Sequence, residues 1–488
     1  MNHIVFLALG SRGDLQPLVV LATHYRQTVS RKDRITIVSP FDIHAPFRSV
    51  FDDYSLSHYA LPTPSTPANS QALSDEVKQQ IRWSEAKFLW QACEQLCPTV
   101  IVFTTFALEG WSIAEKLSVP SVAISLFPLD CFPCPPSFES MFISELPELH
   151  HALRSHGSWN NVLHWMWHLF LENHGTFREE ILDLNPVPFV CDEDIQLPAT
   201  FTPLLYALDH TICEGDIHHG TTVGFFWDKN LFQSTCRSYY AIAMYAYQNV
   251  ETYSADPIAC LSRFIRCAHD QKRKLVYIGF GSMDQLHPTF HDPEFVCKLV
   301  RLVGSVLEQV DAAAVWVMSN TDIALYKAFK KTSNPNIHVY PHAIPHVFLL
   351  MMMQYGMSDQ SFDDWWSTST EPKQTRARLG AIHHGGAGTL ASILSQAIPQ
   401  VIMPLMFDQF FWADKATELN FGKKVPCDLS EYSAWIEAVE WMISDPECTN
   451  QKRWQKTMMS NTVCGLAKAA ETISRVMIQD LSPSGPLS

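Results

Sequence analysis

The chain has 488 residues, enough for two large domains, and its 47% hydrophobic and 17% charged content excludes a largely disordered chain. Lys and Arg total 35 against 50 Asp and Glu, a net charge of −15 with no dense basic run, which argues against a nucleic-acid partner. Only 19 residues are glycine, below the average share of roughly 7%, so the places where glycine clusters point to where the backbone needs it.

The N-terminus lacks a basic leader. The apolar run at residues 4–9 is too short for a secretory signal, and no apolar stretch of ~18 residues occurs. The expectation is a soluble cytoplasmic protein for which peripheral membrane contact stays open. Residues 4–9 read as a buried strand running into Gly10, Ser11, Arg12, Gly13 and Asp14. Short apolar runs at 34–39, 99–103 and 121–126 alternate with helical patterns. A second strand at 275–278 enters Gly279, Phe280, Gly281 and Ser282, and runs at 313–318, 337–340, 380–383 and 400–404 come after it. Strands alternating with helices predict βαβ units and parallel sheets. Two such series predict two doubly wound domains: residues 1–247, a linker at 248–273, and residues 274–450. A helical tail at 451–480, interrupted at Gly465, and a disordered end at 481–488 complete the chain. The 13 cysteines are scattered. Cys131 and Cys134 have no partner pair at zinc spacing, so reduced thiols and no metal site are expected.

Two motifs carry chemistry. Residues 382–389 (IHHGGAGT) place three glycines and two histidines between a strand and a helix. Backbone N–H groups, the helix N-terminus, Thr389 and His384 together suit a diphosphate. The pattern is neither a P-loop nor G-x-G-x-x-G. Residues 399–412 read as a strand and a turn carrying Asp408 and Gln409 among aromatics. An acceptor beside an amide suits sugar hydroxyls, although a helix cap gives the same pattern. Seven of the 19 glycines (Gly10, Gly13, Gly279, Gly281, Gly385, Gly386 and Gly388) fall in three strand-end turns.

These two motifs resemble the donor-binding segment of the UDP-glycosyltransferase superfamily, in the branch of sterol 3-beta-glucosyltransferases and bacterial antibiotic glycosyltransferases. Residues 10–17 (GSRGDLQP), 276–282 (VYIGFGS), 344–346 (IPH) and 222–227 (TVGFFW) are similar to further elements of that branch. The resemblance covers most of the chain and is weakest from about 135 to 205. It implies a GT-B fold of two Rossmann-like domains facing across a cleft. The activity it implies is inverting, metal-independent transfer of a hexosyl group, usually glucose, from a UDP-sugar that is a substrate and not a cofactor. It implies that Ser282, His384 and Thr389 meet the diphosphate, with Gly386 and Gly388 giving backbone approach. Ala343 and His346 then contact the nucleotide, and Asp408 and Gln409 hold the sugar.

Asp14 is the candidate catalytic base, three residues before Pro17; helix capping is the competing role for it. An alcohol is a poor nucleophile, and a carboxylate in a dry cleft is raised toward a useful pKa. Three departures from the pattern stand out. Thr104, Thr105 and Phe106, with Glu109 further on, replace the Asp that orients a base in relatives. Ser392 stands where plant-type relatives have a ribose-binding Glu. Residues 351–378 form an insertion whose deletion is expected to leave fold and activity intact.

Acceptors of this family bind the N-terminal domain, and Phe106, Phe127, Phe132 and Trp165 are the candidates. The expected acceptor is a lipophilic alcohol such as a sterol, terpenoid or polyketide of specialised metabolism. A catalytically silent sugar-nucleotide or lipid-binding protein of the same fold is the rival reading. An NAD-type oxidoreductase lacks its glycine fingerprint. Oligomeric state is not readable.

Overall fold

The computed structural model describes residues 1–41, 43, 47–62, 75–192, 194–217, 219–224, 257–318, 329, 334–340, 344–356, 377–444 and 448–479. The strands of the first half are β1 (His3–Leu7), β2 (Arg34–Pro40), β3 (Ser57–Leu61), β4 (Val100–Thr104), β5 (Ser121–Ser125), β6 (Val190–Cys191), β7 (Asp194–Ile195), β8 (Leu204–Tyr206) and β9 (Thr221–Thr222). Those of the second half are β10 (Lys274–Gly279), β11 (Ala312–Val317), β12 (Ile337–Tyr340), β13 (Leu379–His383), β14 (Gln400–Ile402) and β15 (Gly422–Lys424).

Among the described residues the first sheet has the order β3-β2-β1-β4-β5-β8-β9 and the second β12-β11-β10-β13-β14-β15. Every pairing in both sheets is parallel; β6 and β7 form a separate antiparallel pair. The α/β class with two doubly wound sheets expected from the sequence is what the structure shows. The central strands β1, β4, β5 and β13 are buried at every residue, because helices cover both faces of a parallel sheet. Strand order reverses between β1 and β4 and again between β10 and β13. Loops leaving the carboxyl ends at such reversals splay apart and leave a crevice.

Six helices position the site and join the two halves: α1 (Arg12–Thr28), α2 (Pro257–Asp270), α3 (His346–Tyr355), α4 (Ala387–Leu394), α5 (Gln409–Glu418) and α6 (Thr449–Gln479). Two of them correct expectations. The described part of the expected linker is α2, an amphipathic helix whose Ile258, Leu261 and Ile265 share a core with Tyr277 and Val315 of the second sheet. The expected insertion at 351–378 begins inside α3, whose Met351, Met352 and Met353 are core residues. At its other end the Arg378 carbonyl accepts the N–H of Leu275 in β10 at 2.9 Å. A buried helix and the entry to a central strand cannot be deleted without opening the core, so only residues 357–376, which lie outside the described residues, remain of that reading. Residues 225–227 and the end at 481–488 also lie outside them.

α6 runs unbroken through Gly465 and joins the two halves. Its Leu466, Ala469, Ala470 and Ile473 pack with Leu18 and Leu21 of α1. Gly465 lies against the Val223 carbonyl, where a Cβ would not fit. Asn461 Nδ2 donates to both carboxylate oxygens of Asp209, at 3.1 and 3.0 Å.

Candidate active site

Asp14 reaches the site through the turn after β1. Gly10 adopts φ +99°, and a Cβ there would lie 2.6 Å from Asp14 Oδ2, so this turn requires glycine. Ser11 caps α1: its hydroxyl oxygen accepts from the Gly13 N–H at 3.1 Å, and its own N–H donates to Asp14 Oδ2 at 2.7 Å. The Ser11 hydroxyl also donates to Asp14 Oδ2, at 3.1 Å. The two roles foreseen for Asp14, cap and base, are therefore not exclusive, since one carboxylate oxygen closes the capping box. Burial pushes Asp14 up to about 6; the Ser11 bonds pull the other way and the nearby Asp408 charge adds to the rise. Among the described residues its side-chain hydrogen bonds come from Ser11.

Across the crevice, the turns after β10 and β13 hold two histidines. His383 is fully buried, and its Nδ1 accepts the Gly385 N–H at 3.0 Å. Its Nε2 therefore carries the proton and faces Gln400 Oε1 at 2.8 Å. Burial, together with the neighbouring His384, pushes His383 down to about 3, so it is a neutral post that shapes the glycine loop. His384 lies between the turn after β10 and the glycine loop. Its ring fits between two glycines: a Cβ on Gly281 would meet its Cε1 at 3.0 Å, and one on Gly386 its Nε2 at 2.6 Å. Burial holds His384 down at about 4 against the Gly279 carbonyl, which favours the charged form. Its Nδ1 is buried and has no hydrogen-bond partner among the described residues. Gly386 caps α4, and Thr389 is buried in its first turn. Among the described residues no atom outside its own helix turn lies within 4 Å of a Cβ built on Gly388, so packing does not demand glycine there. Close approach of a ligand to the backbone would. Ser282, half-buried, opens the short helix Met283–Leu286 beside this loop. His346 starts α3 with its ring 5.6 Å from that of Tyr277. Ala343 lies outside the described residues.

The third turn follows β14. Asp408 accepts the Trp412 indole N–H at 2.8 Å, and burial pushes it up to about 6. Gln409 is buried, and its amide oxygen accepts the N–H groups of Leu405 and Met406 at 2.9 and 3.1 Å. Both lone pairs of that oxygen are occupied, so the donor NH₂ group is what Gln409 offers to a sugar.

The aromatic candidates divide. Phe106 and Phe127 lie 5.3 Å apart and Phe127 and Phe132 5.5 Å apart, in the loops after β4 and β5. Trp165 does not join them. It is 3% exposed and packs with Phe103 and Leu169 in the core of the first half, where an apolar ring gains most from burial. Sequence reasoning missed Ser11, Trp412 and Phe407. The Ser11-x-x-Asp14 spacing is a capping-box signal, and Trp412 sits four residues after Asp408 on one helix face; Phe407 had no sequence signal. Cys131 and Cys134 are unpaired, and burial pushes both thiols up to about 11, which makes them weak nucleophiles. Among the described residues no cluster of three or more His, Cys, Asp or Glu is placed to hold a metal ion, and no helix is long and apolar enough to cross a membrane.

Residues 375–466 match the family model of the erythromycin biosynthesis protein CIII-like C-terminal domain. Over 86% of its length the chain is 24% identical to the sterol 3-beta-glucosyltransferase of Komagataella phaffii, and 23% identical to that of Vanderwaltozyma polyspora. It spans 30% of the length of each of these curated relatives. Among solved structures, the glycotransferase of kitacinnamycin is 15% identical with a TM-score of 0.56, covering 98% of this chain and 99% of its own. SnogD from Streptomyces nogalater is 15% identical, with a TM-score of 0.54 over 97% of this chain and 99% of its own. Arabidopsis thaliana UGT89C1, solved in complex with UDP, is 13% identical, with a TM-score of 0.57 over 97% of this chain and 100% of its own. The fold is GT-B, and the resemblance read from the sequence holds.

Proposed function

We propose that this chain is an inverting O-glycosyltransferase that moves a hexosyl group, glucose in the first instance, from a UDP-sugar to the hydroxyl of a lipophilic small molecule. The observation that carries the reading is the pairing across one crevice of a buried carboxylate raised to about 6 with a glycine loop whose His384 Nδ1 has no partner among the described residues. Relatives named as glucosyltransferases and the structure solved with UDP support it.

In the proposed step the acceptor oxygen attacks the sugar C1 as its proton passes to Asp14. The bond from C1 to the diphosphate oxygen breaks, its electron pair leaves with UDP, and the configuration at C1 inverts. Oδ2 is tied to Ser11, so the proton goes to Oδ1. A base near 6 is largely ionised at neutral pH yet more basic than an ordinary carboxylate. The charge that grows on the diphosphate is met by the α4 N-terminus, Thr389 and His384, and this assignment needs no metal ion. Asp408 accepts from a sugar hydroxyl while Trp412 holds it in place, and the Gln409 NH₂ donates beside it. Ser282, His346 and Ala343 are assigned to the nucleotide end. The same reading places the protein in the cytoplasm, with its acceptor drawn from lipophilic alcohols.

One observation favours the rival of a silent binding protein: Asp14 is already engaged as a cap. Release of UDP from UDP-glucose, measured with and without a panel of lipophilic alcohols, decides between them. Acceptor-dependent release supports transfer. UDP-glucose binding with no release above the acceptor-free rate contradicts it.

A further inference from the structure

Phe407, the residue before Asp408, holds φ +53°. A side chain in the left-handed region is strained unless its surroundings favour it, and such residues gather at functional sites. The other aromatic residue with positive φ among those described is Phe189, whose reason is plain: it is 5% exposed and packs against Trp111 and Phe201. Phe407 has no such burial, being 62% exposed.

Among the described residues its one ring contact crosses the crevice. The Phe407 ring stands edge-on to Phe132 at 6.1 Å, and Phe132 leads through Phe127 to Phe106. Four rings make a continuous run from the end of β4, through the loop after β5, to the loop after β14 in the other half. The far end, Phe106, is 53% exposed. A run of tilted rings whose two ends are open is not a core. It offers flat apolar faces along the line between the acceptor half and the sugar turn. The turn that presents Phe407 is stiff, because Gln409 Oε1 ties Leu405 and Met406 and Trp412 ties Asp408.

We infer that Phe407 is an acceptor-selecting residue supplied by the donor half, against which a rigid fused-ring alcohol seats together with Phe132 and Phe106. The inference rests on the glycosyltransferase reading and narrows its acceptor. A rigid polycycle covers rings spread along such a run with few rotors to freeze, whereas a flexible chain alcohol loses rotamer freedom for the same contact. Seating on Phe407 also sets the acceptor beside Asp408, next in sequence, so acceptor shape and sugar position are read by one turn.

The test uses the full chain and needs no turnover. Calorimetry measures binding of a fused-ring alcohol, of 1-decanol and of UDP to the wild type and to Phe407→Ala and Phe407→Gly. Both variants should weaken the fused-ring alcohol about tenfold or more, 1-decanol less than threefold and UDP less than twofold. Phe407→Gly should keep or raise Tm, since glycine takes positive φ without strain. Fused-ring affinity within twofold of wild type in Phe407→Ala overturns the inference, as does an equal loss for UDP, which would make Phe407 a support of the donor turn. In turnover, the acceptor KM should rise more than kcat falls. A wild type that binds these ligands and never releases UDP sinks the transferase reading but not the selection. A wild type that turns over with Phe407→Ala indistinguishable from it sinks the selection alone.

Discussion

The Ser11 N–H and the Asp14 carboxylate lie 2.7 Å apart, closing the first turn of α1. The same bond fixes the candidate base: with Oδ2 held, Oδ1 alone is left to receive a proton, at a position set by the helix and not by a flexible loop.

Asp14→Asn keeps an acceptor for the Ser11 N–H, so Tm should move little. It removes the base, and acceptor-dependent UDP release should fall by ~10²–10⁴-fold with UDP-sugar affinity within about twofold. Near-normal release would show that Asp14 is a cap only.

Ser11→Ala separates the cap from the base. Loss of the hydroxyl costs about 1 kcal/mol through the cap. It also removes one of the bonds that lower the Asp14 pKa. The acid limb of kcat/KM, expected near 6 in the wild type, should move to higher pH in the variant. An unmoved limb would assign that titration to another group.

Stability and activity should run in opposite directions with pH. Asp14 and Asp408 are both raised from 3.8 to about 6 by burial. The folded state therefore holds their protons more tightly than the unfolded state. Their contribution to stability is fully present below about 3.8 and is lost as pH rises through about 6. Activity, which needs Asp14 ionised, rises over the same interval. Thermal melts from pH 4 to 7 check the sign: Asp14→Asn should flatten part of the wild-type decline, and a slope identical to wild type would contradict the burial account.

Gln409 holds its own turn with its oxygen, which leaves its nitrogen for the proposed bond to the sugar. Gln409→Glu keeps an acceptor for Leu405 and Met406 and loses the donor, so the donor KM should rise several-fold with Tm nearly kept. Gln409→Ala leaves two N–H groups without a partner and should also lower stability by about 1–3 kcal/mol. Equal donor KM in Gln409→Glu and wild type would remove Gln409 from the sugar site.

The glycines around His384 give a donor-side test. A Cβ on Gly386 would press on Nε2 from 2.6 Å. Gly386→Ala should therefore displace the ring and weaken UDP binding about tenfold. Gly388→Ala, which among the described residues meets no atom outside its own helix turn within 4 Å, should leave Tm unchanged and weaken UDP by direct obstruction. Unaltered UDP affinity in both would mean that the loop does not hold the diphosphate.

Much of the fold and site was legible in the sequence for a physical reason. Parallel strands buried on both faces read as apolar runs, and glycine at their ends marks turns that the backbone must make tightly. The Asp14 and His384 turns were found that way, and the Asp408 turn from the apolar strand that precedes it and the polar pair set among aromatics. Trp165 was misplaced because aromatic spacing looks the same for a core helix and a ligand wall. Residues 351–355 were assigned to an insertion because a helix buried on every side from Val347 to Gln354 has no amphipathic period to mark it. Phe407 escaped because backbone strain and contact across two domains leave no trace in composition.

The most direct measurement is mass spectrometry of a panel of lipophilic alcohols after incubation with UDP-glucose and either the wild-type chain or Asp14→Asn. The account predicts that at least one alcohol gains a single hexosyl unit, with equimolar UDP, in the wild type and not in the variant. Products of equal yield from both chains would contradict the role of Asp14. No product from a wild type that binds UDP-glucose and the alcohol would contradict glycosyl transfer itself.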